Sequence, residues 1–134
     1  MFLGNLTEKE KAAFFCLAGN IIKTDGVSSK SEVIILNNIV QELHIKGEKS
    51  NLSIEESCDT FAGSDEFTRR GIYIELLSLA MADNTYDSTE KDFLKTVSLR
   101  LNLPADFISK AEKWLLEYLN ILQKGIALAL NIAE

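Results

Sequence analysis

Residues 25–32 read DGVSSKSE and residues 83–90 read DNTYDSTE. In both stretches a glutamate follows an aspartate by seven positions, and the apolar residues on either side keep the same register. Phe14 corresponds to Ile72, for example, and Leu36 corresponds to Leu94. Two matching copies of this kind predict an internal repeat. We therefore expect the chain to contain two related units, each built as helix, acidic loop and helix.

The composition favours an all-α protein. The chain has 134 residues, of which 46% are apolar and 25% are charged, which is typical of a single globular domain with its own core. It contains only one proline and seven glycines, so the residues that usually separate strands and turns are scarce. We predict one helical domain over residues 1–134, a compact bundle of about six to seven helices.

Charge and cysteine usage narrow the range of partners. The 14 basic and 20 acidic side chains give a net charge of −6, which disfavours binding to nucleic acid and suits cations or basic protein surfaces. The two cysteines, Cys16 and Cys58, do not form a disulfide framework.

The N-terminal residues lack the basic and apolar regions of a signal peptide, and no apolar run is long enough to span a membrane. We expect a cytoplasmic protein.

Helix starts are marked by capping boxes, in which a Ser, Thr or Asp side chain and an acid three residues later bind the free amides of the first turn. The predicted boxes are Thr7 with Glu10, Ser29 with Glu32, Ser53 with Glu56, and Asp87 with Glu90. Together with the 3.6-residue spacing of apolar positions, they predict helices that begin near residues 7, 29, 53, 65, 87 and 104.

The last predicted helix is the most apolar part of the chain. It either continues to the end of the chain or bends near Gly125. One face carries Ala111, Trp114, Leu115, Tyr118, Leu119 and Leu122, and beyond Gly125 almost every face is apolar. A helix that is apolar all round is normally buried, either inside its domain or against another subunit. A structural protein that oligomerises through this helix, for example as a homodimer, is therefore an alternative function.

The acidic loops have two interpretations. If the repeat brings them together, their carboxylates would repel one another unless a hard cation such as calcium or magnesium neutralised them. The candidate metal ligands are Asp25, Glu32, Asp83, Asp87 and Glu90. Alternatively, the same acids serve only as helix caps and turn residues. An EF-hand is excluded, because Ser88 stands at the required glycine and Leu94 at the bidentate glutamate.

No catalytic motif is present in the sequence. It contains neither HExxH nor GxSxG, it has no glycine-rich phosphate loop, and its one histidine, His44, has no evident partner. Arg69 and Arg70 do not form a basic patch with the other cations and are interpreted as solvated residues. We do not expect an enzyme.

The repeated motif resembles the TerB-like family, the helical domain of bacterial tellurite-resistance proteins that also precedes some J-domain co-chaperones. Residues 18–32 and 79–90 carry the resemblance, which covers about residues 6–122. It implies a bundle of about seven helices in two related halves, and a non-catalytic interaction module with protein partners in a bacterial stress response.

The resemblance also implies a site. Family members have been proposed to chelate metal through their acidic loops, and the matching positions here are Asp25, Glu32, Asp83 and Glu90. One departure is Asn84, which stands where the second family loop usually has glycine; asparagine tolerates the left-handed conformation. Nothing in these residues indicates tellurium chemistry.

Overall fold

The computed structural model describes residues 2–24, 41, 52–81 and 87–131. It contains five helices over these ranges: α1 (Glu8–Thr24), α2 (Ile54–Ala62), α3 (Glu66–Met81), α4 (Ser88–Arg100) and α5 (Ala105–Ala129). No strand occurs in the described residues, so the all-α prediction is confirmed there.

The helix predicted from residue 29 to about residue 44 lies outside the described residues, apart from Gln41, which is helical. The bundle of six to seven helices and the two repeat halves therefore stay predictions. The chain divides into two compact units, Met1–Leu103 and Pro104–Glu134. The single domain expected over residues 1–134 also stays a prediction.

Side chains cap the helices of the first unit where the sequence predicted. The hydroxyl of Thr7 accepts from the backbone N–H of Glu10 at 3.1 Å, and the carboxylate of Glu10 accepts from the N–H of Thr7 at 2.9 Å. Ser53 and Glu56 make the same reciprocal pair, both bonds 3.1 Å long. Such caps satisfy amides that the first turn of a helix leaves free, so a short sequence signal is enough to fix each start.

The core of the first unit forms where α1 packs against α2, α3 and α4. The predicted apolar stripes are the buried ones, because residues three and four apart share one helix face. Fully buried side chains include Phe14 and Leu17 of α1, Phe61 of α2, Leu76 of α3 and Val97 of α4. At the end of α4, Asn102 takes the left-handed conformation with φ of 55° and the N–H of Leu103 donates to the carbonyl of Ser98 at 3.0 Å. A left-handed residue at this position ends the helix.

The N-terminal segment lies over α3. The backbone N–H of Phe2 donates to Glu75 at 2.9 Å, and the Phe2 ring meets the Phe67 ring edge to face at 5.9 Å. A Cβ on Gly71 would lie 2.8 Å from the Cβ of Phe2. The glycine in the middle of α3 therefore provides the space that this close approach needs, although glycine weakens a helix.

The interpretation of Arg69 as a solvated residue was wrong. Arg69 is half-buried rather than a solvated side chain. Its Nε donates to the carbonyl of Ser64 at 3.2 Å and its Nη1 donates to the carbonyl of Leu101 at 2.8 Å. The planar guanidinium joins the turn before α3 to the end of α4, two places that are distant in sequence. Arg70, by contrast, forms an ion pair with Glu66 one turn away on its own helix.

The second unit is dominated by α5. The helix runs through Gly125 without interruption to Ala129, and Leu130 is its C-cap. The rings of Trp114 and Tyr118 stack with centroids 5.5 Å apart. Within the described residues, no helix combines the length and the apolar character that crossing a bilayer requires.

Candidate functional site

Two of the five candidate metal ligands fall within the described residues. Asp87 and Glu90 lie at the start of α4, whereas Asp25, Glu32 and Asp83 lie outside the residues that the structure describes. Of the second acidic loop, the structure therefore describes the C-terminal end, from Asp87 onward.

Asp87 is the N-cap of α4. Its backbone is extended, with φ of −86° and ψ of 179°, and its Oδ1 accepts a hydrogen bond from the N–H of Glu90 at 2.9 Å. This bond satisfies one of the free amides of the first turn, and the negative charge interacts favourably with the positive end of the helix dipole. The capping role that the sequence predicted for Asp87 is confirmed.

Glu90 is the more unusual of the two residues. Only 5% of its surface is exposed, and it is the only acid among the buried side chains of the described residues. Its position explains the burial, because Glu90, Leu94 and Val97 follow one another at helical spacing on the inward face of α4. Placing a carboxylate among apolar side chains is costly unless polar or cationic groups compensate it. Glu90 is therefore held against the core at the position where the repeat predicted a ligand.

Glu10 is an acid at the corresponding helical position of α1, but it was expected only as a cap. Besides its bonds with Thr7, its carboxylate accepts a hydrogen bond from the hydroxyl of Ser64, which lies 54 residues away in sequence. Burial opposes ionisation of this carboxyl, yet the hydrogen bonds from Ser64 and Thr7 outweigh it and hold the pKa of Glu10 below its ordinary range. No pattern in the sequence pairs residues 10 and 64.

A metal cluster is not found in the part of the chain that the structure describes: no three His, Cys, Asp or Glu side chains there come close enough to hold an ion. The proposed ligand set depends on both loops, and three of its five members are outside that part. The metal site therefore stays a prediction.

Neither cysteine has the surroundings of a nucleophile. The thiol of Cys16 donates to the carbonyl of Leu52 at 3.3 Å, and burial raises the pKa of the Cys58 thiol, which keeps it protonated. A shallow cavity of about 240 Å³ lies beside α1 and α2 and is lined by Lys9, Leu52, Glu56, Asp59 and Thr60. These groups form no catalytic arrangement, since Glu56 caps α2 and Asp59 faces Arg100 at 3.9 Å.

The second unit carries a surface that the sequence did not predict to be exposed. Ala111 and Leu115 of α5 are buried, as expected, but their apolar neighbours are not. We define the α5 seam as the exposed residues Trp114, Tyr118, Ile121, Gly125 and Leu128. They are spaced by four, three, four and three residues, which places them in one stripe along the helix.

The size of the exposed side chains distinguishes this seam from an ordinary surface. Ile121 is 67% exposed and Leu128 is 82% exposed, and Leu122 and Ile126 beside them are also exposed. Single apolar residues on a surface are common, whereas a contiguous apolar patch usually marks a site of interaction. The 4–3–4–3 spacing was present in the sequence, but it does not say whether the stripe meets the chain's own core.

Comparison with known proteins gives no match: no protein-family model fits the chain, and neither a curated protein nor a solved structure is similar to it. The resemblance to TerB-like domains therefore rests on the two repeated stretches.

Proposed function

We propose that this protein is a non-catalytic interaction module of TerB-like type, in which two acidic loops bind a divalent cation, calcium or magnesium. The fold proposed with it is a bundle of six to seven helices arranged as two repeat halves. Its setting would be the cytoplasm, in a bacterial stress response of the kind to which tellurite-resistance proteins belong.

The observation that supports this function is the buried carboxyl of Glu90, three residues after the N-cap Asp87. A helix cap alone can remain on the surface, as Asp65 does where it accepts from the N–H of Thr68 at 2.8 Å. Glu90 is instead held at the core, where hydration of its charge is limited. A carboxylate held there could serve as a ligand of a cation shared with the first loop, because hard cations prefer carboxylate oxygens.

The mechanism would be charge neutralisation. Without a cation, Asp25, Glu32, Asp83 and Glu90 would repel one another if the repeat places the loops side by side. A bound cation would turn this repulsion into attraction and fix the angle between the two halves of the domain. A partner protein could then recognise one arrangement of the halves.

A thermal-shift titration with calcium, magnesium, manganese and zinc tests the proposal. The variant Asp25→Asn with Asp83→Asn removes two candidate ligands, and Asp65→Asn with Asp106→Asn removes two acids that lie outside the loops. At a cation concentration one hundred times the dissociation constant, binding should stabilise the wild type by about 2.7 kcal/mol.

We expect the loop variant to lose this stabilisation and the control variant to keep it. The same shift in all three proteins would refute a cation site in the loops, and so would the lack of any shift in the wild type. In either case the acids would be helix caps only.

A second function, oligomerisation, is favoured by a separate observation, the exposed α5 seam. A helix that is apolar on nearly every side was expected to be buried in its own domain or in another subunit, and the exposure of Ile121 and Leu128 favours the second arrangement. Light scattering of the full chain and of a chain that ends at Gln123 distinguishes burial in the domain's own core from burial against another subunit. If the full chain is a monomer and the shortened chain unfolds, the end of α5 belongs to the domain's own core.

A further inference from the structure

The α5 seam has the spacing of a two-stranded helical contact. Its residues Trp114, Tyr118, Ile121, Gly125 and Leu128 alternate in steps of four and three, the pattern by which paired helices keep one stripe turned towards the other. The seam extends over about 21 Å of helix at 1.5 Å per residue. Paired helices need a partner of similar length and apolar character, and a second copy of α5 provides one.

The charges beside the seam select the direction of that partner. Glu117 and Lys124 are both exposed and lie two turns apart, so they share one flank of the seam. In an antiparallel pair related by a twofold axis, each flank faces the same flank of the other helix. In a parallel pair, that flank would instead face the flank that carries the exposed Leu122, which offers no charge. The antiparallel direction therefore sets glutamate beside lysine, twice.

The sizes of the seam residues agree with this direction. With the twofold axis close to Asn120, four of the five seam residues meet one about equally far on the other side of that position, and Leu128 lies beyond these pairs. Trp114 then faces Gly125, whose missing side chain leaves open space, and Tyr118 faces Ile121. The largest residue of the seam meets the smallest, which is how facing helices fill their contact without voids.

We propose that two copies of this chain form a dimer through antiparallel pairing of their α5 seams, with Glu117 of each copy beside Lys124 of the other. This inference rests on the oligomerisation function proposed above and specifies its partner and geometry. A contact limited to two helical heptads is smaller than a standard interface of about 1,600 Å², so we expect a dissociation constant in the micromolar range.

Sedimentation equilibrium of the full chain, from micromolar to submillimolar concentrations, measures the dimer against the chain mass of 14.9 kDa. Ile121→Asp places a charge at the centre of the seam and should weaken the dimer by at least roughly a hundredfold. Leu116→Asp is the matched control, because Leu116 is 58% exposed on the opposite face of the same helix. It should leave the dissociation constant unchanged, and circular dichroism should confirm that both variants are folded.

Charge exchange tests the direction of pairing. Glu117→Lys and Lys124→Glu each replace two attractions by two repulsions and should weaken the dimer about tenfold. The double variant, which keeps the net charge of −6, should restore the wild-type affinity. Weakening by the single variants without restoration in the double variant would exclude the antiparallel pair.

These experiments distinguish failure of the antiparallel geometry from failure of the oligomerisation function. In one outcome, Ile121→Asp disrupts the wild-type dimer but the charge variants do not change its dissociation constant. This result would refute the antiparallel geometry and would still support oligomerisation through α5. If the wild type is a monomer at every concentration, both the antiparallel dimer and the oligomerisation function are refuted. The cation-linked function is tested separately by the thermal-shift titration.

Discussion

The two units of this protein differ in how far their apolar side chains are buried. In the first unit, the apolar faces of α1 to α4 close on one another, and side chains such as Phe14 and Leu76 are fully buried. In the second unit, α5 also carries an apolar stripe, but Ile121 and Leu128 remain in contact with solvent. The described helices of the first unit thus share a buried core, whereas the apolar stripe of α5 is only partly covered.

The polar groups differ in the same way. The first unit joins distant parts of its chain through side chains, such as Glu10 with Ser64 and Arg69 with the carbonyl of Leu101. On α5, Asp106 and Lys110 form an ion pair at 3.9 Å within about one turn of the same helix. In the first unit, these contacts join parts of the chain that are distant in sequence, whereas the ion pair on α5 is local.

The largest expected effect concerns equal truncations in the two units. Leu76→Ala removes a side chain with 0% exposure and should lower the free energy of unfolding by about 2–5 kcal/mol, because a cavity is left behind. Leu128→Ala should change it by less than about 0.5 kcal/mol in the monomer. Urea unfolding at concentrations too low for dimers measures both. If both variants lost a similar free energy of unfolding, Leu128 would be buried in the monomer in solution. The two units would then not differ in how they bury their apolar residues.

A smaller effect, of opposite sign in the two units, is expected from glycine to alanine substitutions. Gly125→Ala should stabilise α5 by about 0.5–1 kcal/mol, since alanine favours the helix and no atom lies within 4 Å of the new Cβ. Gly71→Ala meets the Cβ of Phe2 at 2.8 Å and should destabilise the first unit by about 1 kcal/mol.

Thermal unfolding followed by circular dichroism compares the two glycine variants. Phe2→Gly removes the obstructing Cβ, so in that background Gly71→Ala should no longer destabilise the protein. A destabilising effect that persists there would mean that the close approach of Phe2 is not the reason for the glycine.

The smallest expected effect is a pH dependence that sharpens the difference in long-range polar contacts. The pKa of Glu10 is lowered in the folded protein: burial opposes ionisation, but the hydrogen bonds from Ser64 and Thr7 outweigh it. A lowered folded pKa contributes stability above the unfolded pKa, and this contribution is lost as pH falls through the folded pKa. Acidification below the ordinary glutamate range should therefore destabilise the first unit.

Urea unfolding as a function of pH, on wild type, Glu10→Gln and Ser64→Ala, measures this contribution. Both variants should lose less stability on acidification than the wild type, because each removes the bond that favours the charged carboxyl. An unchanged acid dependence in Glu10→Gln would assign the effect to other carboxyls.

Much of the first unit could be predicted from the sequence. The starts of α1, α2 and α4 follow from Thr7, Ser53 and Asp87, because a cap depends on residues only three apart. The buried faces follow from the 3.6-residue period. For the candidate site, the sequence predicted that Asp87 caps α4 and singled out Glu90, but it did not predict that Glu90 would be buried against the core. That burial depends on which other helices pack beside α4.

Sequence alone determined where the described helices begin and which face of each is apolar, since these properties arise from interactions between neighbouring residues. Tertiary structure alone decided which distant groups meet, as with Glu10 and Ser64 or Arg69 and Leu101, and which apolar face is covered. The pattern along α5 is the same whether a core, solvent or a second chain lies against it. The physical reason is that periodicity describes one helix, whereas burial depends on what packs against it.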